Sequence, residues 1–304
     1  MAKSNYTVWT KGKFLEENKA YISMLSPSSQ FGLNVFEGIR CYKSLNDSEL
    51  FIFRLDDHID RLYDSAQSLN LKITMNKKDL KEKIILTIIK NKFQQDSIIR
   101  VIAYVDEAGS WTQNYNCEVI IIPRLYGRAY EDKSSLTLSL SDWERINLNS
   151  MPPKIKAGAN YINSRYAHID AVNKGFDTAL LLNNKGSISE STGSCIFIVK
   201  GNKLITPPIS SSILDSITRK TVIKIATEVK NLQLDIREIK KDEVLQADEV
   251  FLCGTSIEIF PVSRINNSKY DSSDITSKIR DIYLSLVRGK LEEYGKWLTP
   301  VHIK

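Results

Sequence analysis

An amine, a phenol and a carboxylate stand out near the middle of the chain: Lys156-Ala157-Gly158-Ala159-Asn160-Tyr161, then Glu190 in Ser189-Glu190-Ser191-Thr192-Gly193, thirty-four residues after the lysine. An amine is a nucleophile toward carbonyls and, once it has lost its proton, a general base. The plainer reading of Lys156 is a solvated loop cation, and that of Glu190 an exposed turn residue, the commoner fate of a glutamate. Anion chemistry has two candidates. Arg61 lies in Asp57-His58-Ile59-Asp60-Arg61-Leu62, where the competing role is a surface salt bridge of little worth. Ser216-Ile217-Thr218-Arg219 opens a helix whose first amides sit at its positive end and suit an anion, although most helix starts bind none.

Other chemistries lack their residues. The histidines, His58, His168 and His302, are too dispersed for a metal cluster, and Cys41, Cys117, Cys195 and Cys253 form no C-x-x-C pair. Neither H-E-x-x-H nor a G-x-S-x-G elbow occurs, and G-x-G-x-x-G and the P-loop are missing too. Metal-centred, hydrolytic, dinucleotide and P-loop readings therefore have no support.

The elements that must position these residues alternate in kind and fall into two blocks. Spacings of three and four at Ile59, Leu62, Ala66 and Leu69 predict a helix over 57–69, and a second is expected over 78–92. Apolar, β-branched runs predict strands at 50–53, 97–105 and 118–123. Polar residues 126–135 read as a linker. The second block offers a strand at 136–140, a turn at Met151-Pro152-Pro153, a helix over 161–173 and a strand at 178–182. A hairpin of 195–200 and 203–206 turns on Gly201-Asn202, a helix capped by Asp215 or Ser216 reaches 229, and a strand over 249–253 runs into Gly254-Thr255-Ser256. The expected organisation is two α+β domains, 1–127 and 136–304, joined through 128–135.

Composition agrees with such a chain. Its 304 residues, 42% hydrophobic and 26% charged, can bury a large core without disulfides or a structural metal. The net charge of +6 is scattered, with Lys77-Lys78 and Lys240-Lys241 beside Asp79, Glu82, Asp242 and Glu243, so no nucleic-acid partner is expected. Met1-Ala2-Lys3-Ser4-Asn5 opens no apolar leader and no run is long enough to span a membrane, which predicts a soluble, cytoplasmic protein with reduced thiols.

Taken in order, Phe36-Glu37-Gly38-Ile39-Arg40, the lysine segment, the Glu190 segment and Gly254-Thr255-Ser256 resemble the fold-type IV pyridoxal-phosphate enzymes. The form of the segments resembles most the branched-chain amino acid aminotransferases, class IV aminotransferases of the D-amino acid aminotransferase-like fold. The resemblance runs from about residue 31 to residue 263. It implies a two-domain α+β / α/β fold, pyridoxal 5'-phosphate as cofactor, and transfer of an amino group between glutamate and a branched-chain 2-keto acid in a homodimer or larger homo-oligomer.

Residue by residue, the resemblance makes Lys156 the catalytic lysine that carries the cofactor as a Schiff base, with Ala157 and Gly158 leaving room for the ring. Tyr161 bonds the ring's phenolic oxygen, and Glu190 pairs with the pyridine nitrogen so that the ring becomes an electron sink. Arg61, the amides of Ile217 and Thr218, and the Thr255 hydroxyl take the phosphate. Phe36, Gly38 and Arg40 border the substrate, Thr255 and Ser256 hold its α-carboxylate, and Arg100 receives glutamate's distal carboxylate.

Four positions depart from the pattern: Phe31 and Ile98 stand where tyrosines are usual, Arg124 stands where an aromatic residue is usual, and Cys195 replaces an asparagine. The first three predict an acceptor other than the branched-chain keto acids, or glutamate held differently. The fold also serves aminodeoxychorismate lyase and D-amino acid or amine transaminases. The K-A-G-A-N-Y and F-E-G-I-R forms favour the branched-chain type. A cofactor-free nucleic-acid binder is the reading from another class, and it lacks any stacking or groove-reading motif.

Overall fold

A computed structural model describes residues 6–45 and 49–302. Met1 to Asn5, on which the absence of a leader was read, lie outside the described residues. The chain forms two compact units, Met1–Gly127 with Ile155–Ala159 and Ser285–Lys304, and Arg128–Lys154 with Asn160–Leu284. The division expected from sequence was contiguous, whereas these units are not. The reasons are local: Ala157 bridges to Val35, and Leu298–His302 pairs antiparallel with Glu49–Phe53.

The first unit is built on an eight-stranded sheet. Its spatial order is Leu298–His302, Glu49–Phe53, Asn34–Lys43, Ser97–Tyr104, Tyr115–Leu125, Thr7–Thr10 and Lys13–Glu16, with Leu71–Ile73 parallel to Tyr115–Leu125. Asn34–Lys43 and Ser97–Tyr104 pair antiparallel from Asn34↔Tyr104 to Cys41↔Ser97. Side chains alternate between faces of a strand, so Val35, Glu37, Ile39 and Cys41 turn into the unit while Phe36 and Gly38 stay half-buried on the other face. The helix Leu55–Ser68 covers the inward face with Leu55, His58, Ile59, Leu62, Ser65 and Ala66, a stripe at the three- and four-residue spacing of an amphipathic helix.

The second unit holds a nine-stranded mixed sheet. Its order is Ile188–Ser191, Thr178–Leu182, Leu136–Glu144, Glu258–Ile265, Glu249–Gly254, Cys195–Lys200, Lys203–Thr206 and Gln233–Ile236, with Ser268–Lys269 on Glu258–Ile265. Two crossovers create parallel pairs, as short loops cannot. Tyr161–Asn173 links Leu136–Glu144 to Thr178–Leu182, and Ile217–Ala226 links Lys203–Thr206 to Gln233–Ile236. Leu138, Leu180, Ile196, Ile198, Leu252 and Ile265 fill the core.

The expected helix over 161–173, the strand over 178–182 and the 195–206 hairpin have the observed bounds. The helix expected to reach 229 ends at Ala226. Beyond it Glu228 and Val229 donate to Ile225 and Ala226 three residues back, the tighter spacing of a closing turn. Tyr115–Leu125 is longer than the apolar run 118–123 because its outer positions alternate exposed and buried. No helix among the described residues is long and apolar enough to cross a membrane.

Candidate active site

In the first unit, Lys156 is held as a short extra rung beside the sheet. Its backbone amide donates to Ser65 Oγ at 3.1 Å. Its carbonyl accepts from the Phe36 amide at 3.0 Å, and the Gly158 amide donates to the Asn34 carbonyl at 3.2 Å. A Cβ on residue 158 would stand 2.5 Å from Asn34 Oδ1, so any larger residue there requires the Asn34 side chain to shift. The Lys156 amine lies 4.9 Å from the centroid of the Phe36 ring. Arg100, directly opposite Gly38 in the sheet, sets its guanidinium 4.6 Å from the same ring.

One helix face serves both lysine and arginine. His58, Arg61 and Ser65 stand three and four residues apart on Leu55–Ser68, which puts them on neighbouring turns. Arg61 donates Nε and Nη2 to the two carboxylate oxygens of Glu37 at 2.6 and 2.8 Å, and His58 Nδ1 lies 2.7 Å from Glu37 Oε2. Burial alone would raise the Glu37 pKa, but the charges of Arg61 and His58 overcome it and hold the carboxyl well below the usual range. Burial also lowers the pKa of His58, against the pull of Glu37.

Arg40 is placed differently from the expectation that it borders substrate. It is 1% exposed, donates to the Gly127 carbonyl at 2.7 Å and lies 5.0 Å from the rings of both Tyr42 and Tyr126. Arg124 is exposed and paired with Glu17. Phe31 is exposed at the end of the short helix Pro27–Phe31, and Ile98 pairs with Arg40 and Arg124 across the sheet.

In the second unit, Glu190 is 4% exposed on Ile188–Ser191. Arg145 donates Nε to its Oε1 at 3.0 Å and sets Nη2 2.9 Å from it in an ion pair, and the Leu214 amide donates to the same oxygen at 3.2 Å. Cys195 Sγ lies 3.7 Å from Oε2. Burial, with Glu190 and Cys253 nearby, pushes the Cys195 thiol well above its ordinary pKa. Tyr161 is the first residue of its helix. Ser216 caps Ile217–Ala226 by accepting from the Arg219 amide at 3.2 Å, so Ile217 and Thr218 occupy the first turn, where amides have no intrahelical acceptor. Thr255 and Ser256 occupy the turn between Glu249–Gly254 and Glu258–Ile265.

Sequence reasoning missed Glu37, His58, Ser65 and Arg145. Glu37 carries a signal, an acid at an inward position of an alternating strand. His58 and Ser65 share the apolar stripe around Arg61. Arg145 carries none, for its partner is forty-five residues away.

The family model described as Amino-transferase class IV matches residues 34–265. A relative from Aquifex aeolicus (strain VF5), "Probable branched-chain-amino-acid aminotransferase", is 34% identical over 97% of this chain and 96% of its own. The crystal structure of the branched-chain aminotransferase of Thermoproteus uzoniensis with norvaline superposes with a TM-score of 0.94 at 36% identity, covering 98% of this chain and 100% of that one. The branched-chain amino acid aminotransferase of Thermobaculum terrenum in its PLP form gives 0.92 at 37% identity, covering 98% of both chains. Another branched-chain amino acid aminotransferase, that of T.th., was solved with N-(5'-phosphopyridoxyl)-L-glutamate and gives 0.91 at 32% identity, covering 99% of both chains.

Proposed function

The chain belongs to the class IV amino-transferases, a pyridoxal-phosphate-dependent transaminase family, and we propose that it passes the amino group of glutamate to a branched-chain 2-keto acid. The relatives' names and the norvaline and phosphopyridoxyl-glutamate complexes support that pair of substrates. The donor set fits the cofactor by its chemistry. An amine suits its aldehyde, a buried carboxylate its ring nitrogen, a phenol its ring oxygen, and an arginine with helix-start amides its phosphate. When bound, the cofactor supplies an electrophilic carbon for amines and a ring that withdraws electrons from the substrate α-carbon.

The residues divide the work as follows. Lys156 anchors the group and, released as an amine, moves a proton at the substrate α-carbon. Glu190 accepts from the ring nitrogen and Tyr161 donates to the ring oxygen. Arg61, the amides of Ile217 and Thr218 and the hydroxyl of Thr255 hold the phosphate, with Arg61 oriented by Glu37. Phe36 and Gly38 form the substrate wall, and Arg100 takes the distal carboxylate of glutamate. Thr255 and Ser256 hold the α-carboxylate. The observation that carries the reading is the lysine segment, pinned by Ser65, Phe36 and Asn34 with its amine over an aromatic ring.

The test is the visible spectrum of the purified protein with pyridoxal phosphate, before and after glutamate, with Lys156→Ala alongside. A band that glutamate shifts, and that the variant lacks, is expected. A band of equal strength in Lys156→Ala would overturn the assignment of the lysine. The departures at Phe31, Ile98 and Arg124 bear on which branched-chain keto acid is preferred, and equal kcat/KM on all three would set any such preference aside.

We also infer a cytoplasmic homo-oligomer in which a neighbouring copy finishes the site. Supporting this, Tyr21, Met24 and Leu25 are 74%, 77% and 66% exposed on one segment of the first unit, more apolar surface than a monomer keeps in water without reason. Sedimentation velocity at micromolar concentration is expected to show a dimer or larger.

A further inference from the structure

The two oxygens of the Glu190 carboxylate are unequal. Oε1 takes two donors, Nε of Arg145 and the Leu214 amide, at 3.0 and 3.2 Å, and Nη2 of Arg145 stands 2.9 Å from it in the ion pair. Oε2 has the Cys195 thiol at 3.7 Å, a long contact to a weak donor. A carboxylate oxygen has two lone-pair directions, so these two N–H groups, with the ion pair beside them, leave Oε1 no good direction for another. Oε2 keeps its capacity for one strong N–H.

Arg145 is itself over-determined. It is 8% exposed, its backbone amide donates to the Leu182 carbonyl at 2.8 Å, and Nη1 reaches Asn163 Oδ1 and Ser164 Oγ at 3.3 and 3.5 Å. Asn163 and Ser164 lie on the first turn of Tyr161–Asn173. One guanidinium therefore ties the helix that begins with Tyr161 to the strand that carries Glu190. It also supplies the countercharge that a buried carboxylate requires.

We infer that Arg145 is a positioning residue for transamination: it turns Glu190 so that only Oε2 is offered to the cofactor's ring nitrogen, and its charge moderates how strongly that carboxylate holds the ring proton. The inference rests on the assignment of Glu190 to the ring nitrogen. A carboxylate shared between two cations grips each less firmly than a carboxylate facing one. The ionisable groups that act on the Cys195 thiol beside Glu190 are Glu190 itself, the cross-strand neighbour Cys253, and Arg219 from Ile217–Ala226.

The experiment uses the full-length protein loaded with pyridoxal phosphate, as wild type, Arg145→Met, Arg145→Lys and Glu190→Gln. It reads the pH midpoint of the bound cofactor's visible band, the cofactor dissociation constant, and kcat and KM for glutamate. Removing a positive charge favours the protonated form of the bound group, and removing a negative one disfavours it. Arg145→Met is therefore expected to raise the midpoint by about one pH unit, with kcat down at least tenfold and KM within threefold. Glu190→Gln is expected to lower the midpoint, and Arg145→Lys to fall between Arg145→Met and wild type.

A midpoint unchanged in Arg145→Met while Glu190→Gln shifts it would overturn the role of Arg145 and leave Glu190 in place. Unchanged midpoints in both would overturn the Glu190 assignment and this inference with it. If Arg145→Met does not fold by circular dichroism, Arg145→Lys decides, and a midpoint and kcat equal to wild type would count against the proposal.

Discussion

The amine of Lys156 and the guanidinium of Arg100 share the Phe36 ring, at 4.9 and 4.6 Å from its centroid. One side chain thus sets the reach of both the reacting amine and the cation proposed for glutamate's distal end. Phe36→Ala is expected to lower kcat/KM for glutamate at least about fivefold, since a cation–ring contact is worth about 0.5–2 kcal/mol and two are lost. Phe36→Tyr keeps the ring and should retain most of the activity. Steady-state kinetics on both variants, with circular dichroism as the folding control, decides this.

Ser65 holds the lysine segment from below through a single hydrogen bond to the Lys156 amide. Ser65→Ala leaves that amide without its acceptor, at a cost of about 1–3 kcal/mol. Urea denaturation is expected to show the loss, and Ser65→Thr to recover part of it. An unaltered midpoint in Ser65→Ala would mean that solvent replaces the hydroxyl.

Glu37 and His58 both have pKa values lowered in the fold, from the ordinary 4.5 and 6.5. Each group therefore takes up protons more readily in the unfolded chain. Its stabilisation is full above the ordinary value and is lost as pH falls, from about pH 6.5 downward for His58 and from about 4.5 downward for Glu37. The Tm of the wild type should accordingly fall between pH 7 and pH 5 more steeply than that of His58→Gln, whose amide can still donate to Glu37. Parallel curves for the two proteins would show that His58 does not titrate on unfolding.

Much of this arrangement was legible from periodicity. The stripe at Ile59, Leu62 and Ala66 marked the helix that bears Arg61, and the β-branched run from Ser97 to Val105 marked the strand that bears Arg100. Asn34–Lys43 was legible only as a motif, because Glu37, Gly38 and Arg40 interrupt its apolar alternation. Glu37 sits inward regardless, since Arg61 and His58 compensate its charge. Arg145 was not legible at all: its contacts are set by which strands lie side by side, and local sequence does not encode that.

Gly158 approaches Asn34 so closely that an added methyl meets Oδ1 at 2.5 Å. Gly158→Ala is expected to push the Asn34 side chain aside and loosen the rung beside Val35, costing about 1–3 kcal/mol. Amide hydrogen exchange should report faster exchange at Phe36 and Gly158, whose hydrogen bonds close that rung. Equal exchange rates in variant and wild type would show that Asn34 yields without consequence.

The pairing of Leu298–His302 with Glu49–Phe53 makes the order of synthesis differ from the order of folding. Every residue of the second unit, through Leu284, has been made before the strand that closes the first unit's sheet leaves the ribosome. Until then Glu49–Phe53 is an unpaired edge, open to any extended segment nearby. Stalled or prematurely terminated chains should therefore be caught by chaperones through this edge, while their second unit is already native.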